Sequence, residues 1–282
     1  MKLQDLRALF PPGTDPADTL LLLSRLLGIP KARLLALNRD ELDLSAEQLA
    51  AIKNASARLS TGIPLPYILG EWDFYGRTFT VNPAVLIPRP ETELIVEQGL
   101  AWLAQRAIAA PRIVDVGCGS GILPITFACE LTTAHCLAID ISPKALETTR
   151  TNALRHSVLS RLDLRQSDLL PPDFAEMAPF DILTANLPYI PTPTLQGLEV
   201  FGKEPTLALD GGPDGLDLIR RLLTQITQLP TNIRLCLLEM EASQGQALLD
   251  FAKALFPTAK VMVLKDLAGL DRVLRIEQTQ LT

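Results

Sequence analysis

The feature that most constrains this chain is an alternation that begins after Pro111, where short apolar runs take turns with helix-length segments. Arg112-Ile113-Val114-Asp115-Val116 reads as a buried strand, followed by a helix over residues 121–130, a strand over 136–140 and a helix over 143–154. Further strands are expected near residues 162–165, 181–185, 233–239, 260–264 and 272–276. Strands that are apolar throughout need cover on both faces, and parallel neighbours need a crossover between them. The pattern predicts an α/β fold with a mostly parallel sheet and helices on both sides. Ligands in such sheets sit beyond the carboxyl ends of the strands.

Upstream the pattern differs. Asp15-Pro16 starts a helix, because proline in the first turn loses no N–H that the helix needs. Gly28 can end that helix in a left-handed conformation. A second helix is expected over residues 31–37. Ser45 and Gln48 have capping-box spacing for a third, which reaches about Leu59 and stops at Gly62. Residues 1–70 thus read as a small helical domain, either a plain bundle or a substrate-docking module. From Glu71 to Val81, β-forming residues flank Tyr75-Gly76-Arg77, which predicts a hairpin. Residues 71–90 form a linker that is broken by Pro83, Pro88 and Pro90. A helix should start near Glu91, with Glu91 and Glu93 at its positive end. Residues 91–282 make the α/β domain.

The 282 residues, 48% of them apolar, suffice for one large domain and a smaller one. A net charge of −6 offers no basic footprint for phosphates, so no direct nucleic-acid contact is expected. Cys118, Cys129, Cys136 and Cys236 form no C-x-x-C pair, and only His135 and His156 can add imidazole. No metal site is expected, and all four cysteines read as buried, reduced thiols. The chain shows no signal-peptide pattern, and the run from Leu20 to Leu23 is interrupted by Ser24 and Arg25. The expectation is a cytoplasmic protein with no membrane contact, and a monomer.

Two motifs fall at predicted strand ends. The first, Asp115-Val116-Gly117-Cys118-Gly119-Ser120-Gly121, follows a strand and opens a helix. Its glycines permit a tight turn and let a ligand approach the backbone. The spacing is not the G-x-G-x-x-G of dinucleotide sites, an aspartate there repels a pyrophosphate, and no G-K-[ST] ending follows. A carboxylate suits a ligand with an ammonium and a sulfonium, as in S-adenosylmethionine. Asp140 ends the second strand, where an acid can grip ribose hydroxyls. Asp168 ends the third strand region, where it can meet an adenine amino group, with Leu169 packed on the ring. Any one of these acids alone also suits a cap or a turn. Together with Gly117, Cys118, Gly119, Ser120 and Gly121 they form a candidate cofactor site, with Asn186 beside it.

The second motif, Asn186-Leu187-Pro188-Tyr189, directly follows another strand. It resembles the N-P-P-Y element of methyltransferases acting on planar nitrogens. An amide nitrogen is a poor nucleophile, because its lone pair is delocalised into the carbonyl. The site must therefore hold it in line with the methyl group, and positioning of this kind contributes roughly 7–11 kcal/mol in favourable cases. The Asn186 side-chain oxygen can accept one N–H and the Leu187 carbonyl the other. Pro188 stiffens the turn, and Tyr189 offers an aromatic face. Asparagine and proline are also common in plain turns, so position after a cofactor site is what makes the motif a candidate catalytic and substrate site.

At this point the chain is similar to the release-factor glutamine methyltransferase family, also called HemK or PrmC. The resemblance spans nearly the whole length and rests on Pro64-Leu65-Pro66-Tyr67-Ile68-Leu69-Gly70-Glu71-Trp72, Phe74-Tyr75-Gly76, and Leu86-Ile87-Pro88-Arg89-Pro90-Glu91-Thr92-Glu93. It continues through the glycine loop, residues 186–190, Glu204-Pro205, Ala208-Leu209 and Asp214-Gly215-Leu216-Asp217. It ends with Glu239, Gln244-Gly245, Lys265-Asp266-Leu267-Ala268-Gly269 and Asp271-Arg272-Val273. The resemblance implies a class I, Rossmann-like methyltransferase domain with a small N-terminal helical domain and a β-hairpin linker. It implies S-adenosylmethionine as cofactor and, as substrate and partner, the Gly-Gly-Gln glutamine of class 1 peptide chain release factors. Gly117, Gly119, Gly121, Asp140 and Asp168 then bind cofactor, and Asn186, Leu187, Pro188 and Tyr189 hold the glutamine amide.

One position departs: the family usually has proline where this chain has Leu187. The backbone carbonyl survives that change. Asn-Leu-Pro-Tyr is also typical of ribosomal RNA adenine dimethyltransferases, which face the same planar nitrogen but lack the Arg89 segment. A non-catalytic, cofactor-binding translation partner is the remaining alternative. Arg89 can orient substrate, brace the cofactor loop, or pair with Glu91 or Glu93. Glu204 suits either the mouth of the site or a loop-stabilising role. Gly211, Gly212 and Gly215 read as a turn, and Trp72 and Trp102 as core.

Overall fold

The structure is a computed structural model, and it describes residues 1–37, 41–229 and 233–278. The chain divides into two compact units, residues 1–71 and 72–282. The first is helical: α1 (Leu3–Arg7), α2 (Pro16–Leu27), α3 (Lys31–Ala36), α4 (Ala46–Ser60) and α5 (Leu65–Leu69). The expected boundary signals operate. The Asp15 side chain accepts from Ala17 N at 2.7 Å, Pro16 takes the first helical position, and Gly28 ends α2 at φ 66°. Ser45 and Gln48 form the reciprocal capping box of α4. The buried leucines Leu3, Leu6, Leu22, Leu23 and Leu34 form the core of this unit.

The hairpin β1 (Glu71–Phe74) and β2 (Arg77–Thr80) begins at the last residue of the first unit and otherwise belongs to the second. Its two turn residues, Tyr75 and Gly76, both have positive φ, 48° and 69°. That is the conformation in which a two-residue turn matches strand twist. A 3-10 turn (Pro90–Thr92) then leads into α6 (Glu93–Gln105). The expected start near Glu91 is correct, and Glu93 accepts Tyr75 N at 2.8 Å, tying helix to hairpin.

The sheet follows the predicted alternation closely: β3 (Arg112–Val116), α7 (Ile122–Glu130), β4 (His135–Asp140), α8 (Pro143–Arg155), β5 (Leu162–Gln166) and β6 (Ile182–Ala185). Then come α9 (Thr192–Leu195), α10 (Asp217–Thr227), β7 (Leu235–Glu239), α11 (Gly245–Leu255), β8 (Lys260–Lys265) and β9 (Asp271–Glu277). Residues 230–232, between α10 and β7 in sequence, lie outside the described residues. Among the described residues the strand order is β5-β4-β3-β6-β7-β9-β8. Pairings are parallel from β5 to β7, while β9 runs antiparallel to both β7 and β8.

Side chains alternate across the sheet with the period of two that strands impose. Ile113, Cys136, Ile182, Leu235 and Leu237 pack on one face with Ile95, Val96, Leu123 and Phe127 of α6 and α7. Val114, Leu137, Leu183, Cys236 and Leu238 pack on the other with Ile219, Leu222, Leu248 and Ala252 of α10 and α11. Burial on both faces is why these strands read as apolar throughout. In α6, Gly99 packs tightly against α7: a Cβ there would lie 2.6 Å from Phe127 Cζ. Trp102 is core, as expected, while Trp72 is only half-buried. Three cysteines are buried as expected; Cys129, at the exposed edge of α7, is only partly so and corrects the reading of all four as buried. No helix among the described residues is long and apolar enough to cross a membrane.

Candidate active site

Strand order reverses at β3, since β4 and β5 extend to one side of it and β6 begins the other. Loops leaving β3 and β6 therefore diverge and open a crevice at their carboxyl ends. A deep crevice lies there, lined by Asp115 through Ser120, Asp140, Ser142, Asp168, Leu169, and residues 186–188. Each predicted cofactor residue except Gly121 lines it; Gly121 caps α7 at φ 82° instead.

The glycine loop is shaped by backbone bonds. Gly117 N and Cys118 N both donate to Ile139 O, at 2.8 and 2.9 Å. Gly117, Gly119 and Gly121 have φ of 77°, 57° and 82°, a region that strains other residues. At Gly117 a Cβ would press on Leu187 Cδ2 at 2.9 Å, so the cofactor loop and the chemical loop touch there. At Gly119 a Cβ would meet nothing within 4 Å, so its open side faces the crevice.

Asp140 accepts Gly119 N at 2.8 Å and Ser142 N at 2.9 Å. It thereby holds the glycine loop and the start of α8 while lining the crevice. Asp115 is 1% exposed and accepts Thr184 Oγ1 at 2.6 Å, across the β3–β6 register. Burial pushes its carboxyl up to about 7, offset in part by the Thr184 bond and reinforced by Asp140. Burial raises Asp140 as well. Among the described residues, no lysine or arginine forms an ion pair with either acid. Two carboxylates in an apolar crevice are costly without a cation, so the ammonium and sulfonium of S-adenosylmethionine fit this donor set.

Asp168 lies just past the end of β5, and its carboxylate is half-exposed and paired with Arg221 at 2.8 Å. The next residue, Leu169, is buried at φ 63°, a strained conformation that turns the chain along the crevice.

The chemical loop follows β6. Asn186 Nδ2 donates to Thr92 Oγ1 at 3.1 Å, while its Oδ1 is buried with no hydrogen-bond partner. Leaving a buried acceptor unpaired costs about 1–3 kcal/mol, which marks it for a ligand. A smaller pocket, lined by Tyr189 and Leu209 among others, shares Leu86, Arg89, Asn186, Leu187 and Ala208 with the main crevice. Tyr189 O–H donates to Glu239 Oε1 at 3.2 Å, and burial followed by the Glu239 charge raises its pKa.

Arg89 lines both pockets, yet its ion pair is with Glu204 and not with Glu91 or Glu93. Glu204 is buried, accepts Ile87 N at 3.0 Å, and so clamps residues 87–89 to the wall of the site. The glycines read as a plain turn do more. A Cβ at Gly211 would lie 2.7 Å from Pro188 O, and one at Gly215 would lie 2.1 Å from Tyr189 O. The loop they form straps residues 188–190, with Ile190 N on Leu209 O, Gly211 N on Ile190 O, and Gln244 Nε2 on Tyr189 O.

Sequence reasoning assigned no role to Thr92, Thr184 or Glu239. Glu239 carried a signal: a carboxylate closing the fully buried strand β7 is expensive unless it has a task.

Comparisons with known proteins agree with this architecture. Residues 9–70 match the family described as PrmC N-terminal domain, and residues 96–190 match the family described as Ribosomal protein L11 methyltransferase (PrmA). The release factor glutamine methyltransferase of Moorella thermoacetica is 41% identical over 86% of this chain and 84% of its own. That of Geobacter sulfurreducens is 36% identical over 91% and 87%. Among solved structures, a methyltransferase from Pyrococcus furiosus aligns with a TM-score of 0.52 at 14% identity, covering 80% of this chain and 98% of that one. That likeness concerns the fold, which is the Rossmann-like class I methyltransferase fold. Identity of this level over most of both chains means that the protein belongs to the release factor glutamine methyltransferase family.

Proposed function

We propose that the protein methylates the side-chain amide nitrogen of the glutamine in the Gly-Gly-Gln motif of class 1 release factors. S-adenosylmethionine supplies an electrophilic methyl group. The observation that carries the reading is Asn186 Oδ1, a buried acceptor without a partner at the junction of two connected pockets. It accepts one N–H of the substrate amide, and the Leu187 carbonyl accepts the other. Both acceptors favour the positive charge that grows on nitrogen as it attacks, and they hold its lone pair in line. Leucine in place of the family's usual proline keeps that carbonyl, and its side chain locks the loop against Gly117. Asp115 takes the cationic end of the cofactor, Asp140 the ribose hydroxyls, and Asp168 with Leu169 the adenine. Gly117, Cys118, Gly119 and Ser120 line its path, and Gly121 lets α7 start beside it. Arg89, held by Glu204, borders the substrate amide.

Residues 1–70 dock the release factor, residues 71–90 link, and residues 91–282 carry out transfer. The enzyme acts as a cytoplasmic monomer without touching nucleic acid. Label from S-adenosylmethionine tests this with an intact class 1 release factor, the same factor with its loop glutamine changed to alanine, and ribosomal RNA. Label on the intact factor alone is expected, and label on RNA alone would put the adenine reading in its place. Asn186→Ala should keep cofactor binding and lose roughly 100-fold or more in transfer, as removing a preorganised partner does. Equal loss of cofactor binding would contradict its role as substrate acceptor.

A further inference from the structure

Behind the chemical loop lies a buried chain of hydrogen bonds that no step above uses. Thr92, 0% exposed at the end of the 3-10 turn before α6, accepts from Asn186 Nδ2 at 3.1 Å and donates to Glu239 Oε2 at 2.6 Å. Glu239, 1% exposed at the end of β7, accepts Tyr189 O–H on its other oxygen. The direction of this chain follows from inventory. A carboxylate only accepts, and a threonine hydroxyl has a single hydrogen. With that hydrogen committed to Glu239, the Thr92 oxygen can only accept from its remaining neighbour. Asn186 must then turn its NH2 toward Thr92. The opposite flip would set Oδ1 against a lone pair and send NH2 toward the substrate amide, so that donor would face donor.

We propose that Thr92 and Glu239 are positioning residues, a one-way hydrogen-bond relay that fixes the flip of the Asn186 side chain and so keeps Oδ1 toward the reacting nitrogen. The inference rests on Asn186 as the substrate acceptor and adds what makes it one. An asparagine amide is symmetrical in shape, and its two ends differ only in hydrogen bonding, so shape alone cannot select between them. The same carboxylate also holds Tyr189, so one buried acid orients both ends of the chemical loop. Burial pushes Glu239 up to about 7, with Thr92, Tyr189 and Arg272 opposing and Glu91 adding to the rise. The relay therefore has its full polarity only above neutrality.

The test compares Thr92→Val, which keeps shape and removes the relay, with Thr92→Ser, which keeps the hydroxyl. Steady-state transfer to the release factor is measured at about pH 8, a unit above the Glu239 value, with cofactor affinity from calorimetry. Thr92→Val should lower kcat roughly 10- to 100-fold while KM and cofactor affinity stay within about threefold, and Thr92→Ser should recover most of the rate. Undiminished kcat in Thr92→Val, no recovery in Thr92→Ser, or a loss carried equally by cofactor binding would each overturn the relay. A second readout needs no turnover: the Asn186 side-chain NH2 resonance, assigned by its loss in Asn186→Ala, should resist hydrogen exchange in wild type and Thr92→Ser and lose that protection in Thr92→Val. Equal protection in all three would also overturn it. Absence of transfer by wild type would count against the release-factor substrate alone, and the resonance would still decide the relay.

Discussion

Asp115 gives the sharpest quantitative prediction. Its carboxyl is 1% exposed, bonded to Thr184 Oγ1, and pushed by burial up to about 7. Near neutrality about half the molecules therefore carry it protonated. A cationic ligand favours the ionised form, so cofactor binding must expel that proton. Lowering the pH from about 7 to about 6 cuts the ionised fraction from roughly one half to roughly one tenth, which should weaken S-adenosylmethionine binding about fivefold. Over that range the cofactor's own amino group stays mostly protonated, so it adds little. Calorimetry in buffers of different ionisation enthalpy reads both the affinity and the released proton. Asp115→Asn, which keeps an acceptor for Thr184, should bind more weakly and lose the pH dependence. Affinity that is flat between those pH values, with no buffer-dependent heat, would refute the placement of Asp115 against the cationic end of the cofactor. The same shift acts on the fold with its own sign. The folded-state pKa is raised, so without cofactor the contribution of Asp115 to stability is full below about pH 4 and is lost as pH rises through about 7.

Two further outcomes follow from the glycine loop. Asp140→Ala removes the acceptor for Gly119 N and Ser142 N and should weaken cofactor binding roughly tenfold or more, with transfer at saturating cofactor much less affected; unchanged binding by calorimetry would sink its role. Gly121→Ala places a Cβ 2.8 Å from both Ile125 Cδ1 and Thr149 Cγ2 at φ 82°, and should cost about 1–3 kcal/mol of stability in urea unfolding, whereas an unmoved midpoint would show that the turn relaxes freely.

The central strands β3, β4, β6 and β7 were legible because they are buried on both faces, so their apolar runs stand out whatever surrounds them. The caps of α2 and α4 were legible because Asp15, Pro16, Ser45 and Gln48 act within one turn. Helix α10 gave no such signal, and the capping box that Glu241 and Gln244 form just ahead of α11 went unread. Leu216 precedes α10 without a side-chain cap, and α11 begins on Gly245 after a 3-10 turn (Ala242–Gln244), where helix propensity is poor. The motifs at the ends of β3, β4 and β6 were readable as local spacing. What was not readable joins distant parts of the chain: Arg89 with Glu204, Gly215 with Tyr189, Thr92 with Glu239. Periodicity reports which face is buried, and it says nothing about which buried polar groups meet.

The glycine at position 99 gives α6 an unexpected share in the chemistry. With only a hydrogen facing Phe127, the helix lies closer to α7 than any side chain would allow. The turn that carries Thr92 is the entry to that same helix, so its depth in the fold sets how far Thr92 reaches toward Asn186. A substitution at this remote position would lift the helix like a wedge and detune the site without altering a single residue that lines it. The reach of Thr92 toward Asn186 thus rests on a close contact about two helical turns away, at a residue that touches neither of them.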